Sequence, residues 1–343
     1  MSPKLGRGRP AAIGFAVAGS LLLALLLLAL GVGRYPLTPR QLAAVLWAPI
    51  SGRPHGLPPA AEIVVYRVRG PRVLAAAAIG AALAGAGAAY QGLFRNPLVS
   101  PDILGVSSGA ALGAVLGIYW SLGVAGIQAL AFALGLAAVG AVYLVAASLS
   151  RHDPVLVLVL AGVVIGTLLG SCISLVKYLA DPYNQLPAIT FWLLGSLSGI
   201  TGRDVAAVLP GVAIGLYPLY LVRWRMNVMT LPDDEAQALG VDTRRLRLGV
   251  IAAATLMTSA VVSVSGVIGW IGLLIPHFAR LLVGPDFSRL LPAAMLLGAA
   301  YLIGIDTLAR TIAPLEIPLG VLTAFVGAPF FIWLLATSRR GWQ

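Results

Sequence analysis

Residues 223–247 read RWRMNVMTLPDDEAQALGVDTRRLR, and this stretch divides the chain. Its 25 residues hold nine of the chain's 35 charged side chains: Arg223, Arg225, Asp233, Asp234, Glu235, Asp242, Arg244, Arg245 and Arg247. Both flanks are almost pure hydrocarbon, so the island predicts a loop between two membrane spans. Asp233 or Asp234 can cap a short helix there, and acids in its first turn suit the positive end. Ala236 to Leu239 carry the helix to Gly240, which can take the left-handed conformation that ends it. Asp242 can cap the helix that follows. Such a segment reads either as a handle for a soluble partner or as a solvated loop with ordinary capping chemistry.

Working outward, the 343 residues are 59% hydrophobic and 10% charged. Soluble domains run nearer a quarter charged, so this is an integral membrane protein, and no polar segment is long enough for a second domain. Positions 1–343 therefore form a single transmembrane domain. The single Cys172 excludes an internal disulfide and a thiolate metal cluster. The net charge of +11 sits in arginines at the ends of apolar runs, where it sets topology rather than marking a nucleic-acid partner. Lys4 and Lys177 are the only lysines, and neither stands in a phosphate-loop pattern. If ATP drives this chain, another subunit binds it.

Ten apolar runs follow. The first, Ala11 to Val32, comes after the basic Lys4, Arg7 and Arg9 and is too long for an ordinary signal peptide, which predicts an uncleaved span with a cytoplasmic N-terminus. A polar, proline-rich connection covers Gly33 to Arg72. Runs 2 to 5 are expected at about Val73–Phe94, Ile103–Trp120, Gly123–Leu149 and Pro154–Leu179. Leu186–Leu197 is too short to span and is expected to dip back into the bundle. Run 6 covers about Asp204–Val222. Runs 7 to 10 are expected at Leu246–Val264, Val267–Leu282, Leu290–Leu308 and Pro318–Ala336, with a tight join at Ser265-Gly266.

With the N-terminus inside, the cytoplasmic segments hold Arg95, Arg151, the 223–247 cluster, Arg280 with Arg289, and Arg339-Arg340, all basic as the orientation rule requires. Both termini are then cytoplasmic. The outer connection breaks the rule, with Arg34, Arg40, Arg53, Arg67, Arg69 and Arg72 against Glu62 alone. Runs 2–5 and 7–10 begin on opposite sides, which permits an inverted repeat.

Three further stretches carry a resemblance: QGLFRNPLVSPDILGVSSGAALGA (Gln91–Ala114), GVIGWIGLLIPHFAR (Gly266–Arg280) and IPLGVLTAFVGAPFFIWL (Ile317–Leu334). With PDDEAQALGV, they make the chain from about Arg67 onward closely resemble the permease subunits of bacterial type II ATP-binding-cassette (ABC) importers for haem, iron–siderophore complexes and cobalamin. The resemblance implies an all-α, ten-helix subunit in the bacterial inner membrane, forming a homodimer around a central pathway. It implies a pair of cytoplasmic ATPase subunits carrying ATP and Mg, a periplasmic substrate-binding protein, and no cofactor on this chain. On it, Asp233, Asp234, Glu235, Ala236, Gln237, Ala238, Leu239 and Gly240 form the ATPase-coupling helix. Asn96 and Leu98 fall at the cytoplasmic gate, and Arg69, Arg72 and Arg310 where arginines receive acids of the binding protein. The pathway is expected along runs 5 and 10 and the Leu186–Leu197 segment. One position departs from the commonest family form: Gly70 stands where a bulkier residue is usual.

The residues also bear plainer readings. Asn96-Pro97 ends a helix, because proline disfavours helical geometry in the residue before it. Leu98 can equally be an interface anchor. Asp306 and Arg310 stand four apart, as a helical ion pair would, although an ionisable residue inside a span is also a functional candidate. Lys177 and Asp181 read as the lipid–water boundary. His55, His152 and His277 are scattered, and His277 belongs to a motif shared with family members that carry no haem. It is assigned structural or gating duty.

The expected function is therefore transport without catalysis: a permease for a metal chelate, haem first, with ferric siderophore and cobalamin as alternatives. An ion-coupled secondary transporter is the alternative of a different class. A membrane enzyme lacks the clustered nucleophile or metal ligands it would need.

Overall fold

The computed structural model describes residues 9–52, 56–149 and 154–338. Among them all regular structure is helical. Helix α1 (Arg9–Gly31) is followed by α2 (Pro39–Ser51), then by a continuous rod of α3 (Pro59–Glu62), a π-helical turn (Ile63–Arg69) and α4 (Gly70–Leu93). A 3-10 turn (Pro101–Leu104) leads into α5 (Val106–Tyr119), α6 (Val124–Leu149) and α7 (Pro154–Leu179). Next come α8 (Gln185–Leu193), α9 (Gly202–Leu221), α10 (Arg223–Val228) and α11 (Asp233–Ala238). The chain closes with α12 (Thr243–Ser265), α13 (Ile271–Val283), α14 (Phe287–Ala309) and α15 (Leu319–Ser338).

Among the described residues, seven helices are long and apolar enough to cross a membrane: those at Ala11–Gly31, Pro59–Leu93, Val124–Leu149, Val155–Leu179, Gly202–Leu221, Thr243–Ser265 and Phe287–Ala309. Val106–Tyr119 and Ile271–Val283 are apolar but shorter. Thirteen or fourteen helical residues rise only about 20 Å, against roughly 30 Å of hydrocarbon. Among the described residues the ten expected runs thus appear as seven full-length apolar helices, the short α5 and α13, and α15, which runs from Leu319 to Ser338. Helices α5 and α13 are each entered through non-helical backbone.

Helices α4, α12 and α14 form the centre, while α1 and α7 are mostly exposed. Packing of α4 on α14 is possible because Gly80 faces Gly298. A Cβ on either would overlap the other's carbonyl oxygen. In hydrocarbon, helices gain from such close approach rather than from burying apolar area. A Cβ on Gly87 would likewise overlap the carbonyl of Gly272 in α13.

Two connections differ from expectation. The proline-rich segment after α1 is partly helical, because Pro39 falls in the first turn of α2, where a missing N–H costs nothing. Thr38 and Gln41 cap that helix reciprocally. The join after α12 is not a two-residue turn. Gly266 and Trp270 both take positive φ, 70° and 73°, and helix resumes only at Ile271. There Ser196 donates to the Ser265 carbonyl at 2.9 Å, while Leu319 and Gly320 donate to the Gly195 and Leu194 carbonyls at 2.9 and 3.0 Å. The end of α8, the α12–α13 turn and the start of α15 are one hydrogen-bonded knot.

Candidate functional site

The polar island folds as a braced handle. Pro232 precedes α11, so Asp233 is the first helical residue and makes no cap bond. The expected cap at Asp233 or Asp234 is thereby corrected. The Asp233 carboxylate instead receives Arg95, from the turn after α4, and Arg247 of α12 at 2.9 Å. Arg95 also donates through Nε to the Met229 carbonyl at 2.9 Å. Partial burial would push the Asp233 carboxyl up, but the bonds from Arg247 and Arg95 outweigh it and hold it below the ordinary carboxylate range. Gly240 ends the helix at φ 81°, and Asp242 caps α12 by accepting from Arg245 N at 2.9 Å, both as the sequence indicates.

On the other side, Asn227 of α10 donates to Asp286 at 2.8 Å and accepts from Phe287 N at 2.7 Å. The Asn227 bond is the main reason the Asp286 carboxyl lies below its ordinary range. The handle is thus tied to α4, α12 and α14. Its sides are also settled. Ala236 is completely buried, while Asp234, Glu235, Gln237, Ala238, Leu239 and Gly240 are exposed. Ala236 therefore faces the protein's own core, because that side of α11 rests on the bundle.

The turn after α4 carries Asn96 and Leu98, both exposed. Asn96 Oδ1 accepts from Leu98 N at 2.9 Å, an Asx turn that continues from Arg95 at φ 51°. Because Arg95 reaches Asp233, this turn and the handle are mechanically joined.

At the opposite end, Arg69, Arg72 and Arg310 come together but point inward. Arg69 is 5% exposed and donates to the carbonyls of Leu30 and Gly31 at 2.7 and 3.0 Å, and to that of Tyr35 at 2.7 Å. Arg310 donates to the Val32 carbonyl at 2.8 Å and also to that of Ala29. The last carbonyls of a helix have no partner within it and carry its negative end. Two guanidiniums therefore cap α1 from neighbouring elements. Arg72 grips Asp306 at 2.8 Å and Glu316 at 2.9 Å. Asp306 and Arg310 approach only to 3.8 Å, so the true partner of Asp306 is Arg72, on α4.

The three arginines that the resemblance assigns to receiving acids of a binding protein are thus all engaged within this chain. The π turn is what turns Arg69 inward. Gly70 N bonds the Val65 carbonyl, five residues back, and a Cβ at Gly70 would sit 2.9 Å from that oxygen. The unusual glycine permits the turn. The exposed arginines at this end are Arg34, Arg40, Arg67 and Arg203.

Sequence reading passes over Glu316 and Asn227. Glu316 offered one signal, as the only acid after Asp306. Asn227 offered none. His277 packs edge-on to Phe330, with ring centroids 6.2 Å apart. Asp181 accepts from the backbone of Tyr183 and Asn184 at 3.3 and 2.9 Å, which closes the α7–α8 turn. Lys4, Arg7, Arg53, His55, Arg151, His152, Arg339 and Arg340 lie outside the described residues.

A multi-helix membrane permease with a handle braced on its central helices is the class these features define. Residues 21–337 match the FecCD transport family, and the chain belongs to it, among the iron-chelate and cobalamin permeases of ABC importers. It is 37% identical over 314 residues to a molybdate import system permease protein of Haemophilus influenzae, covering 92% of both chains. It is 39% identical over 353 residues to a cobalamin import system permease protein of Halobacterium salinarum, covering 93% of this chain and 95% of that one. A hemin transport system permease protein of Yersinia pestis is 40% identical over 282 residues, covering 80% and 83%. A solved structure described as an inward-facing conformation of a metal-chelate type ABC transporter superposes with a TM-score of 0.85 at 35% identity, covering 95% of this chain and 99% of that one.

Proposed function

We propose that this chain is the ten-span permease of an ATP-driven importer in the bacterial inner membrane, moving a metal chelate inward, with haem the first candidate. Two copies enclose the pathway, two ATPase subunits carry ATP and Mg, and a periplasmic protein delivers the substrate. Both termini lie in the cytoplasm.

The observation that carries this reading is the handle. A helix that bonds through Asp233 to α12 and to the turn after α4 moves as one body with them. Its exposed residues Asp234, Glu235, Gln237, Ala238, Leu239 and Gly240 are the surface offered to the ATPase. The Arg95–Asp233 link carries that motion to Asn96 and Leu98, the proposed cytoplasmic gate. Helix α7 exposes Thr167, Ser171 and Ser174 on one face, each hydroxyl bonded to a carbonyl in the turn before. That mild, hydroxyl-lined face suits the pathway.

At the outer face, docking of an acidic binding protein draws on Arg34, Arg40 and Arg67. Arg69 and Arg310 hold the platform. Arg72 becomes available only if a partner's carboxylate replaces Glu316, the more exposed of its two acids.

Uptake into liposomes containing the chain, its ATPase and its binding protein tests the proposal, with haem, a ferric siderophore, cobalamin and molybdate offered in parallel. ATP-dependent uptake of haem is expected. Uptake by the chain alone, driven by an ion gradient without the ATPase, would instead make it a secondary transporter.

A further inference from the structure

At the end that carries the handle, a groove of about 300 Å³ opens between α9 and α12. Its floor is hydrocarbon, from Leu219 and Val222 on one side and Val250 on the other. Its rim is polar, formed by Arg225, Asp242 and Arg245. Among the described residues the Arg225 guanidinium has no hydrogen-bond or ion-pair partner, and its side chain is exposed. Arg245 shares Asp242 at 3.1 Å, while the other Asp242 oxygen caps α12. Two guanidiniums and one carboxylate leave the rim one positive charge.

The surroundings set the depth. Tyr217, Tyr220 and Trp224 are 66%, 54% and 64% exposed on the adjoining turns, and Arg223 lies 3.8 Å over the Tyr220 ring. Exposed aromatic rings beside arginines, at the end of a spanning helix, mark the headgroup level of a bilayer. The groove wall also has built-in room. Gly249 is exposed, and a Cβ there would meet no atom within 4 Å.

A single cationic rim over an apolar floor, set between two spans, matches an amphiphile with one negative charge. A free phosphate would satisfy the rim and leave the floor wet. We propose that this groove binds the phosphodiester headgroup of an anionic phospholipid, with the start of an acyl chain on the Leu219–Val222–Val250 floor. Because Gly240, Val241 and Asp242 line the same groove, the bound lipid braces the α11–α12 connection behind the handle. The inference rests on the permease reading only in placing this end in the cytoplasmic leaflet.

The test is lipid retention by the purified full-length chain, measured by native mass spectrometry after exchange into phosphatidylglycerol or phosphatidylcholine. The chain is expected to keep one phosphatidylglycerol at least ten-fold more than phosphatidylcholine. Arg225→Gln with Arg245→Gln, both at exposed positions, should abolish that preference. Gly249→Phe, which fills the groove with the arginines intact, should abolish retention. Inorganic phosphate in excess should not displace the lipid. Equal retention by wild type and the double variant would overturn the proposal, as would displacement by phosphate alone. So would loss of the lipid on adding the cognate ATPase, which would make the groove a protein contact. None of these readouts requires transport, so failure of the importer reading would show in uptake and leave this measurement interpretable.

Discussion

Arg69→Lys keeps the positive charge beside the end of α1 but removes the fork that reaches three carbonyls. In the native chain Nη1 holds Leu30 and Gly31 at 2.7 and 3.0 Å, and Nη2 holds Tyr35 at 2.7 Å. A lysine ammonium at that depth can keep one of these bonds, so two are lost. Hydrogen bonds to charged groups contribute about 1.5–3 kcal/mol each, and neighbouring losses do not add fully, so a destabilisation of roughly 3 kcal/mol is expected. In a chain this long, 1 kcal/mol moves the melting point by about 2 °C, giving a fall of roughly 6 °C. Fluorescence-detected size exclusion of heated, detergent-solubilised protein measures it. Unfolding of such proteins is commonly irreversible, so wild type and variant must be heated at the same rate. Association with the binding protein, measured at low salt, is the companion assay. A variant that melts within 1 °C of wild type yet associates more slowly would refute the clamp. It would return Arg69 to the role of a direct docking residue.

The remaining expectations concern the handle and the core. Ala238→Arg, on the exposed side of α11, should leave the protein folded and abolish substrate-stimulated ATP hydrolysis by the assembled complex; an assembled variant that hydrolyses and transports normally would dismiss the handle. Ala236→Arg, by contrast, forces a cation into a fully buried site and should fail at folding, seen as loss of the monodisperse peak. Gly80→Leu should overpack the α4–α14 crossing, where even a Cβ meets the Gly298 carbonyl, at a cost of about 3 kcal/mol or more; an unchanged melting profile would show that the two helices are further apart. The Asp233 carboxyl is held below its ordinary value of 3.8 by Arg247 and Arg95 against the effect of burial. A depressed folded-state pKa contributes stability that is complete above the unfolded value and lost as pH falls through the folded one. Amide exchange across 233–241 should therefore stay slow from pH 7 down to about 4, after correction for its intrinsic pH dependence, and speed up only below that.

Spans were legible in the sequence because hydrocarbon imposes a local rule: every backbone N–H and C=O must be satisfied within its own helix, so an apolar run of sufficient length declares itself. The Ala11 and Pro154 runs needed nothing else. Local chemistry likewise announced the stop at Asn96-Pro97, the left-handed Gly240 and the cap at Asp242, since each depends on neighbours within a few residues. Tertiary structure alone decided where side chains point and which charge meets which. Asp306 has an arginine four residues away in sequence, yet it pairs with Arg72, 234 positions distant. Arg69 looks like a free outer cation until α1 delivers its carbonyl end from 38 and 39 residues upstream. Ala236 looks like part of a contact surface until α11 lies down on the bundle. For Asp306 and Arg69 the deciding term is removal of a charge or a helix end from water, for Ala236 the burial of an apolar side chain, and each depends on which distant element arrives beside it.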